Sequence, residues 1–243
     1  MVEFTFWDIA YQLLLALRWT VSLSVIAFVC GGLLGLGLLV LRLSQWPGAV
    51  RLVAAYVQIF QGTPLLMQIF LTYFGLALLG IDTSPMLAAC VCLSLYSAAY
   101  LCDIWRGCVE SVPKGQWEAS ASLALGFTEQ LRHVILPPAL RLGVAPTAGF
   151  MVQIIKGTAL TSVIGFIEIT KAGQLIANAT FEPFLVYGCV AGLYFALCFP
   201  LSLWSQRLER RLRPKACPPV RRRRVPLEGG QSLLRGAALA GCL

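Results

Sequence analysis

Five long apolar stretches, nearly free of charged residues, constrain most strongly what this 243-residue chain can fold into. They lie between charged residues, and only Lys156 interrupts one of them. A bilayer core about 30 Å thick is spanned by about 20 apolar residues in a helix. Lipid offers the backbone no hydrogen-bond partners, so such segments must be helical. We therefore predict an all-α membrane protein with five transmembrane helices, at about residues 19–41, 56–80, 84–103, 142–166 and 184–206.

The composition excludes two other classes of protein. Hydrophobic residues make up 58% of the chain and charged residues 12%. An average soluble domain carries roughly 25% charged residues, so this chain has too few to cover a water-soluble globule. An intrinsically disordered chain is excluded too, because disorder requires low hydrophobicity.

The positions of lysine and arginine predict the orientation in the membrane. The loops after the first and third predicted helices and the end of the chain hold most of the basic residues. Basic residues mark the cytoplasmic side of a membrane protein. The C-terminus is therefore predicted to be cytoplasmic, and five spans place the N-terminus outside.

A basic tail accounts for the net charge. Ten of the 19 basic residues but only two of the 11 acidic residues lie from Arg207 onward, and this difference equals the formal net charge of +8. We divide the chain into a membrane domain, residues 1–212, and a disordered cytoplasmic tail, residues 213–243. Contact with anionic lipid contributes about 1 kcal/mol per basic residue near the surface.

Residues for catalysis or metal binding are not evident. The nine cysteines form no Cys-x-x-Cys pair and are read as small buried hydrophobic residues. The single histidine, His133, is interpreted as structural. The phosphate-binding pattern Gly-x4-Gly-Lys-Ser/Thr is missing, so this chain is not predicted to hydrolyse ATP. We expect no catalytic residue, metal, cofactor or nucleic-acid partner.

Glycine and proline predict two local features of the helices. Gly31 and Gly35 lie four residues apart, which permits close backbone contact between helices. Packing within the chain is favoured over dimerisation. Pro64 follows Gly62 and Thr63 and should break or kink the second helix there, because proline removes a helical hydrogen bond.

A loop of residues 106–140 is too long for a simple connector. Its sequence predicts a helix over 118–125, a turn at Gly126, and a short helix over 129–134 capped by Thr128 and ending before Pro137. A helix-turn-helix with small residues on one surface favours docking of another protein. A connector packed on its own bundle is the alternative.

Several segments resemble one family. The loop "SVPKGQWEASASLALGFTEQLRHVILPPAL" is similar to the EAA loop of the permease subunits of bacterial ABC importers. The segments "IFQGTPLLMQIF", "SAAYLCDIWRG" and "IKGTALTSVIGFIEITKAGQ" resemble the polar amino-acid branch of that family. The similarity covers residues 10–212.

The resemblance implies that the loop is a coupling helix inserted into a groove of the ATPase subunit. Glu118 and Ala119 match the start of the family motif, Ser120 replaces a second alanine, and Ala124 stands where the family has glycine. The departure at Ala124 puts the geometry of the turn in question. The coupling residues implied are Gly115, Glu118, Ala119, Ser120, Ala121, Gly126 and Pro137.

The resemblance also implies the assembly. It implies a type I importer permease with five helices in the bacterial inner membrane and a periplasmic N-terminus. Its partners would be ABC ATPase subunits, an identical or similar second permease, a periplasmic amino-acid-binding protein and a polar amino acid. The alternative is a secondary transporter or channel subunit that works without an ATPase. Such transporters commonly contain repeats, and five spans do not divide into two equal halves.

Polar residues within the predicted spans are candidates for the translocation path, because charges there are costly and usually functional. Lys156 would meet a substrate carboxylate. The alternatives are a buried pair with Asp103 or Glu168, or a side chain that reaches the interface. The outer loop 168–182 would contact the binding protein. The candidates for the path are Gln61, Thr63, Gln153, Lys156, Thr158 and Ser162.

Overall fold

The computed structural model describes residues 6–44 and 46–212, and the predicted tail lies outside these ranges. A π-helical turn, Gln130–Ile135, leads into α7, and a 3₁₀ turn, Ala159–Ile164, follows it. The α-helices are α1 (Phe6–Leu43), α2 (Pro47–Gly62), α3 (Leu65–Leu78), α4 (Pro85–Glu110), α5 (Lys114–Ser122), α6 (Phe127–Glu129), α7 (Leu136–Thr158), α8 (Ile169–Thr180) and α9 (Pro183–Leu212).

Four helical segments in these ranges are long and apolar enough to cross a membrane. They are α1, α4, the continuous segment Phe127–Ile164 and α9. The pair α2 and α3 provides a fifth if it is counted as one span, but its two helices are bent by 104°. The predicted all-α membrane class is therefore confirmed, and the second predicted helix is two helices.

The break between α2 and α3 is stabilised by a side chain as well as by proline. Pro64 stands at the N-cap of α3 in an extended conformation and ends the hydrogen-bond ladder of α2. The amide nitrogen of Gln68 donates to the carbonyl oxygen of Phe60 at 2.8 Å and to that of Thr63 at 3.0 Å. Gln68 thereby pairs carbonyl groups that the end of α2 leaves without partners.

Helix α4 is the central helix and packs against α1, α2, α3 and α7. Its contact with α1 is close at Gly31 and Gly35. A Cβ atom on Gly31 would lie 2.4 Å from Cβ of Ser97, and one on Gly35 would lie 3.0 Å from the carbonyl oxygen of Ala98. The predicted close approach at these glycines therefore occurs within the chain.

Helix α1 begins at Phe6, well before the predicted span, because its first turns pack against α8. The predicted outer loop 168–182 contains α8, for which no helix was predicted. Ile9 and Leu13 of α1 share a buried cluster with Ile169 and Ile176 of α8. Contact between α8 and α9 is also close, since a Cβ on Gly173 would lie 2.6 Å from a methyl group of Val190.

Candidate functional site

Helix α5 is a short, mostly exposed helix between α4 and α7. Gly115, Glu118, Ala119 and Ala121 are exposed on it, and a Cβ on Gly115 would meet no atom within 4 Å. Ser120 differs from these residues: only 2% of it is exposed, and its hydroxyl donates to the carbonyl of Trp117 at 2.9 Å. The outward surface of α5 therefore carries small side chains with one acidic residue, Glu118, and one basic residue, Lys114, and Ser120 belongs to its inner side.

The turn after α5 is at Ala124 and not at Gly126, where the sequence predicted it. Ala124 adopts a left-handed backbone with φ of 58°, although alanine pays a steric cost there that glycine avoids. Gly126 is extended, with φ of −66°, and serves as N-cap of α6. Its N–H donates to a carboxylate oxygen of Glu129 at 3.2 Å. Thr128 lies inside α6 and does not cap a helix.

The helix after this turn does not end before the prolines as predicted. It continues through the π-helical turn Gln130–Ile135 into α7, with Pro137 in the first turn of α7. Pro137 and Pro138 cannot donate backbone hydrogen bonds, and a wider π-helical turn is one way for a helix to pass such a defect. Pro137 thus joins the loop rigidly to the next span.

The inner side of α5 is attached to the ends of the spans. Trp117 packs with a buried cluster formed by Val109, Val112, Ile135 and Ala139. The ring of Trp117 stacks on that of Phe127 with centroids 6.2 Å apart. These contacts connect α5 to the end of α4 and to the start of α7.

Ion pairs link α1 and α4 close to the start of the loop that carries α5. Arg106 donates to Asp103 at 2.9 and 3.0 Å, as its spacing three residues away predicts, and it also pairs with Glu110. Arg42 at the end of α1 lies 3.7 Å from Asp103. The network holds the end of α1 to the end of α4.

Gln153 and Lys156 lie exposed on α7 within a membrane-spanning segment. Gln153 donates to the hydroxyl of Tyr96 at 3.0 Å. Lys156 borders a groove of about 460 Å³ that Tyr194 and Ser202 of α9 also line. Neither of its predicted partners is available, because Asp103 pairs with arginines and Glu168 is engaged elsewhere.

Two of the predicted path residues, Thr158 and Ser162, are less exposed than Gln153 and Lys156. Thr158 is fully buried, and its hydroxyl donates to the carbonyl of Ile155 at 2.7 Å. Ser162 is partly buried and donates to the carbonyl of Ala159 at 2.7 Å. Both hydroxyls are satisfied by the helix that carries them. In this structure Thr158 therefore has no exposed hydroxyl, and its place on the path stays a prediction.

The remaining predicted path residues lie at the break between α2 and α3. Gln61 and Thr63 are both exposed, and Thr63 donates to the carbonyl of Ile59 at 2.8 Å. This break is close to the turn of α7 that carries Lys156, since a Cβ on Gly157 would lie 3.1 Å from a methyl group of Leu65. The structure thus brings the break of α2 and α3 next to the polar face of α7.

A buried polar cluster around Glu168 was not identified as a site from the sequence. Glu168 is fully buried, accepts a hydrogen bond from the hydroxyl of Tyr194 at 2.7 Å, and caps α8 through the N–H of Lys171 at 3.0 Å. Burial raises the pKa of its carboxyl group. The hydroxyl of Thr20 accepts from the N–H of Ile169 at 3.3 Å and ties α1 to the same place. The sequence does carry a signal for this cap, since Glu168 is an acidic residue directly before the periodic apolar segment of α8.

The comparisons with known proteins agree with this arrangement. Residues 31–214 match the family of the binding-protein-dependent transport system inner membrane component. The chain belongs to this family. The permease is 34% identical over 211 residues to the glutamine transport system permease protein GlnP of Escherichia coli K12, which covers 85% of this chain and 95% of GlnP. It is 33% identical over 213 residues to the L-cystine transport system permease protein TcyB of Bacillus subtilis 168, covering 87% and 90%.

Solved structures give the same result. A structure of an amino acid ABC transporter with histidines matches with a TM-score of 0.79 and 30% identity, covering 82% of this permease and 94% of that chain. The inward-facing MetNI methionine ABC transporter matches with a TM-score of 0.70 and 20% identity, covering 84% and 97%. The second match concerns the fold alone. The permease is thus a multi-pass inner-membrane transport subunit, and in this family a separate ATPase hydrolyses ATP.

Proposed function

We propose that this permease is the membrane-spanning subunit of an ATP-driven importer for polar amino acids. It forms the translocation path and couples to a separate ATPase subunit through α5. The observation that carries this proposal is the exposed face of α5, where Glu118 stands beside Ala119 and Ala121 while the opposite side is packed on the spans. The similarity to permeases named for glutamine and L-cystine supports the substrate class.

The orientation follows from charge. The loop that carries α5 and the segment after Arg207 are rich in basic residues, which places both in the cytoplasm. The N-terminus and α8 are then periplasmic. Gln174, Leu175 and Asn178 are exposed on α8 and form the surface for the periplasmic binding protein.

A second permease, identical or similar, is proposed to cover the polar face of α7. Gln153 and Lys156 are exposed within a span, where contact of a charge with lipid is costly. A symmetric partner would replace lipid with protein or with a water-filled path. Gln61 and Thr63 at the α2–α3 break line the same path, and Lys156 meets the substrate carboxylate.

The coupling mechanism uses the rigid attachment of α5. Closure of two ATPase subunits on ATP would draw the two α5 helices together. The packing of Trp117 against Ile135 and Val109 would then move the ends of α4 and α7 as rigid bodies and open the path to the other side.

Glu118→Lys tests the coupling role. The variant reverses an exposed charge, so the permease should fold normally, while the ATPase subunit no longer docks in register. In proteoliposomes with binding protein and ATP, uptake should fall and ATP hydrolysis should no longer respond to substrate. Arg51→Glu, an exposed charge reversal on α2, is the control. Normal coupled uptake by Glu118→Lys, or uptake without any ATPase subunit, would refute the proposal.

Lys156→Met separates a role in substrate recognition from a passive one. We expect a higher apparent KM for the amino acid with unchanged basal ATP hydrolysis, because the ammonium group no longer meets the carboxylate. Arg51→Met, which removes an exposed charge at the other end of α2 from the break, is the control. Unchanged uptake kinetics in Lys156→Met would remove this residue from the path.

A further inference from the structure

A second groove lies among the spanning helices, away from the polar face of α7. It has a volume of about 700 Å³ and lies between α1, α4, α7 and α9. Volumes of roughly 300–1,000 Å³ are typical of sites that enclose a small apolar ligand. Its floor contains the buried residues Leu39, Val109 and Ala139.

The mouth of this groove opens on the side surface of the spans. Its edges carry exposed apolar side chains from three helices, Leu36 of α1, Leu140 and Val144 of α7, and Trp204 of α9. The hydroxyl of Thr147 is satisfied, since it accepts from the indole N–H of Trp105 at 2.9 Å and donates within its own helix. Water and a zwitterionic amino acid would find few polar partners here.

Basic residues follow the lining residues at one end of the groove, and the acidic residues there, Asp103 and Glu110, are paired with Arg42 and Arg106. Arg42 of α1, Arg141 of α7 and Arg207 of α9 each follow a lining residue by one to three positions, at the membrane side that carries the coupling loop. Arg141 and Arg207 are exposed and form no ion pair among residues 6–44 and 46–212. A nitrogen of Arg42 is buried without a hydrogen bond and lies 3.7 Å from Asp103. This end fits an anionic group.

We propose that the groove binds one acyl chain of an anionic phospholipid from the leaflet on the coupling-loop side. The acyl chain of the lipid lies along Trp105 and Gly143, and the phosphate of its headgroup lies at Arg141 and Arg207. The lateral opening selects the hydrocarbon tail, and the arginines select the charge of the headgroup. The bound lipid fills the space between α1, α7 and α9 next to the attachment of α5.

The test uses the full-length permease, assembled with its ATPase subunit, in lipid nanodiscs. All tryptophans except Trp105 are replaced by phenylalanine, and the nanodiscs contain phosphatidylglycerol or phosphatidylcholine with brominated acyl chains. Bromine quenches indole fluorescence on contact, and Trp105 lines the groove. Quenching should reach half-saturation at a roughly tenfold lower fraction of phosphatidylglycerol than of phosphatidylcholine. Arg141→Gln with Arg207→Gln should abolish this preference.

A matched pair of variants identifies the place of binding. Gly143→Leu fills the floor, where a Cβ would make ordinary contacts of 3.6 Å with Trp105 and 3.7 Å with Cys108, and it should remove the quenching. Gly192→Leu on α9, where a Cβ meets no atom within 4 Å, should leave it unchanged. Ala148→Phe gives a second obstruction if Gly143→Leu does not fold. Absent quenching in the parent, equal quenching in both glycine variants, or disulfide cross-linking of two permeases through Trp204→Cys would overturn the proposal.

Discussion

Gly31→Ala tests the close packing of α1 on α4, which supports both the coupling loop and the lipid groove. The new Cβ would lie 2.4 Å from Cβ of Ser97 and 2.8 Å from the carbonyl oxygen of Ser94. Neither atom can rotate away, because one is attached to the backbone and the other belongs to it. Optimal carbon–carbon contacts lie at roughly 3.5–4.0 Å, so α1 and α4 must separate by about 1 Å at this point.

Two opposing free-energy contributions determine how much Gly31→Ala changes the stability of the permease. Overpacking of this kind costs about 1–3 kcal/mol. Alanine gains about 1 kcal/mol over glycine in a helix interior. Gly37→Ala, on the same helix with no atom within 4 Å of the new Cβ, measures the second term alone. The difference between the two variants should therefore be about 1–3 kcal/mol, with Gly31→Ala the less stable.

The assay is thermal denaturation of the purified permease in detergent, followed by size-exclusion chromatography of the remaining monodisperse fraction. For a chain of this size, each kcal/mol corresponds to a shift of roughly 2–4 °C in Tm. Adding Ser97→Gly to Gly31→Ala removes the nearest atom and should restore part of the loss. Tm values for Gly31→Ala and Gly37→Ala within about 1 °C of each other would refute the reasoning.

Four further changes have expected outcomes. Ala124→Gly should slow hydrogen exchange of the loop amides by relieving about 1 kcal/mol of left-handed strain, and faster exchange would argue against that strain. Gln68→Leu should lower Tm and uptake, because it leaves two carbonyl groups at the α2–α3 break unpaired, each at a cost of about 1–3 kcal/mol. The raised pKa of Glu168 means that its protonated form favours folding, a contribution present at low pH and lost as pH rises through that pKa. Glu168→Gln should therefore flatten the decrease of Tm with rising pH, and an unchanged profile would exclude this carboxyl group as its source. Truncation after Arg213 should leave uptake and assembly intact in the proteoliposome assay.

The amino-acid sequence was sufficient to predict the class of fold. Uncharged runs of membrane-spanning length permit only helices, because the bilayer provides no other partner for the backbone. The break at Pro64 and the close contact at Gly31 were predicted for equally local reasons, a missing N–H and a missing side chain. A helix over 118–125 was predicted in the long loop, and α5 overlaps it but begins earlier and ends earlier, at Lys114–Ser122.

Other features depend on contacts between distant segments. The first turns of α1 and the whole of α8 are ordered by packing on each other, so neither was recognisable in its own segment. Ser120 and Thr158 were grouped with residues that the structure exposes, but the packing of the surrounding helices buries both.

Lys156 shows most directly which features the sequence determines and which depend on the tertiary structure. The sequence by itself determined that a charge lies within a span, because the residues around it are apolar over a membrane thickness. Only the tertiary structure decided that Asp103 and Glu168 are engaged by Arg106, Tyr194 and the cap of α8. Partner choice depends on distances between helices, and local composition carries no information on those distances.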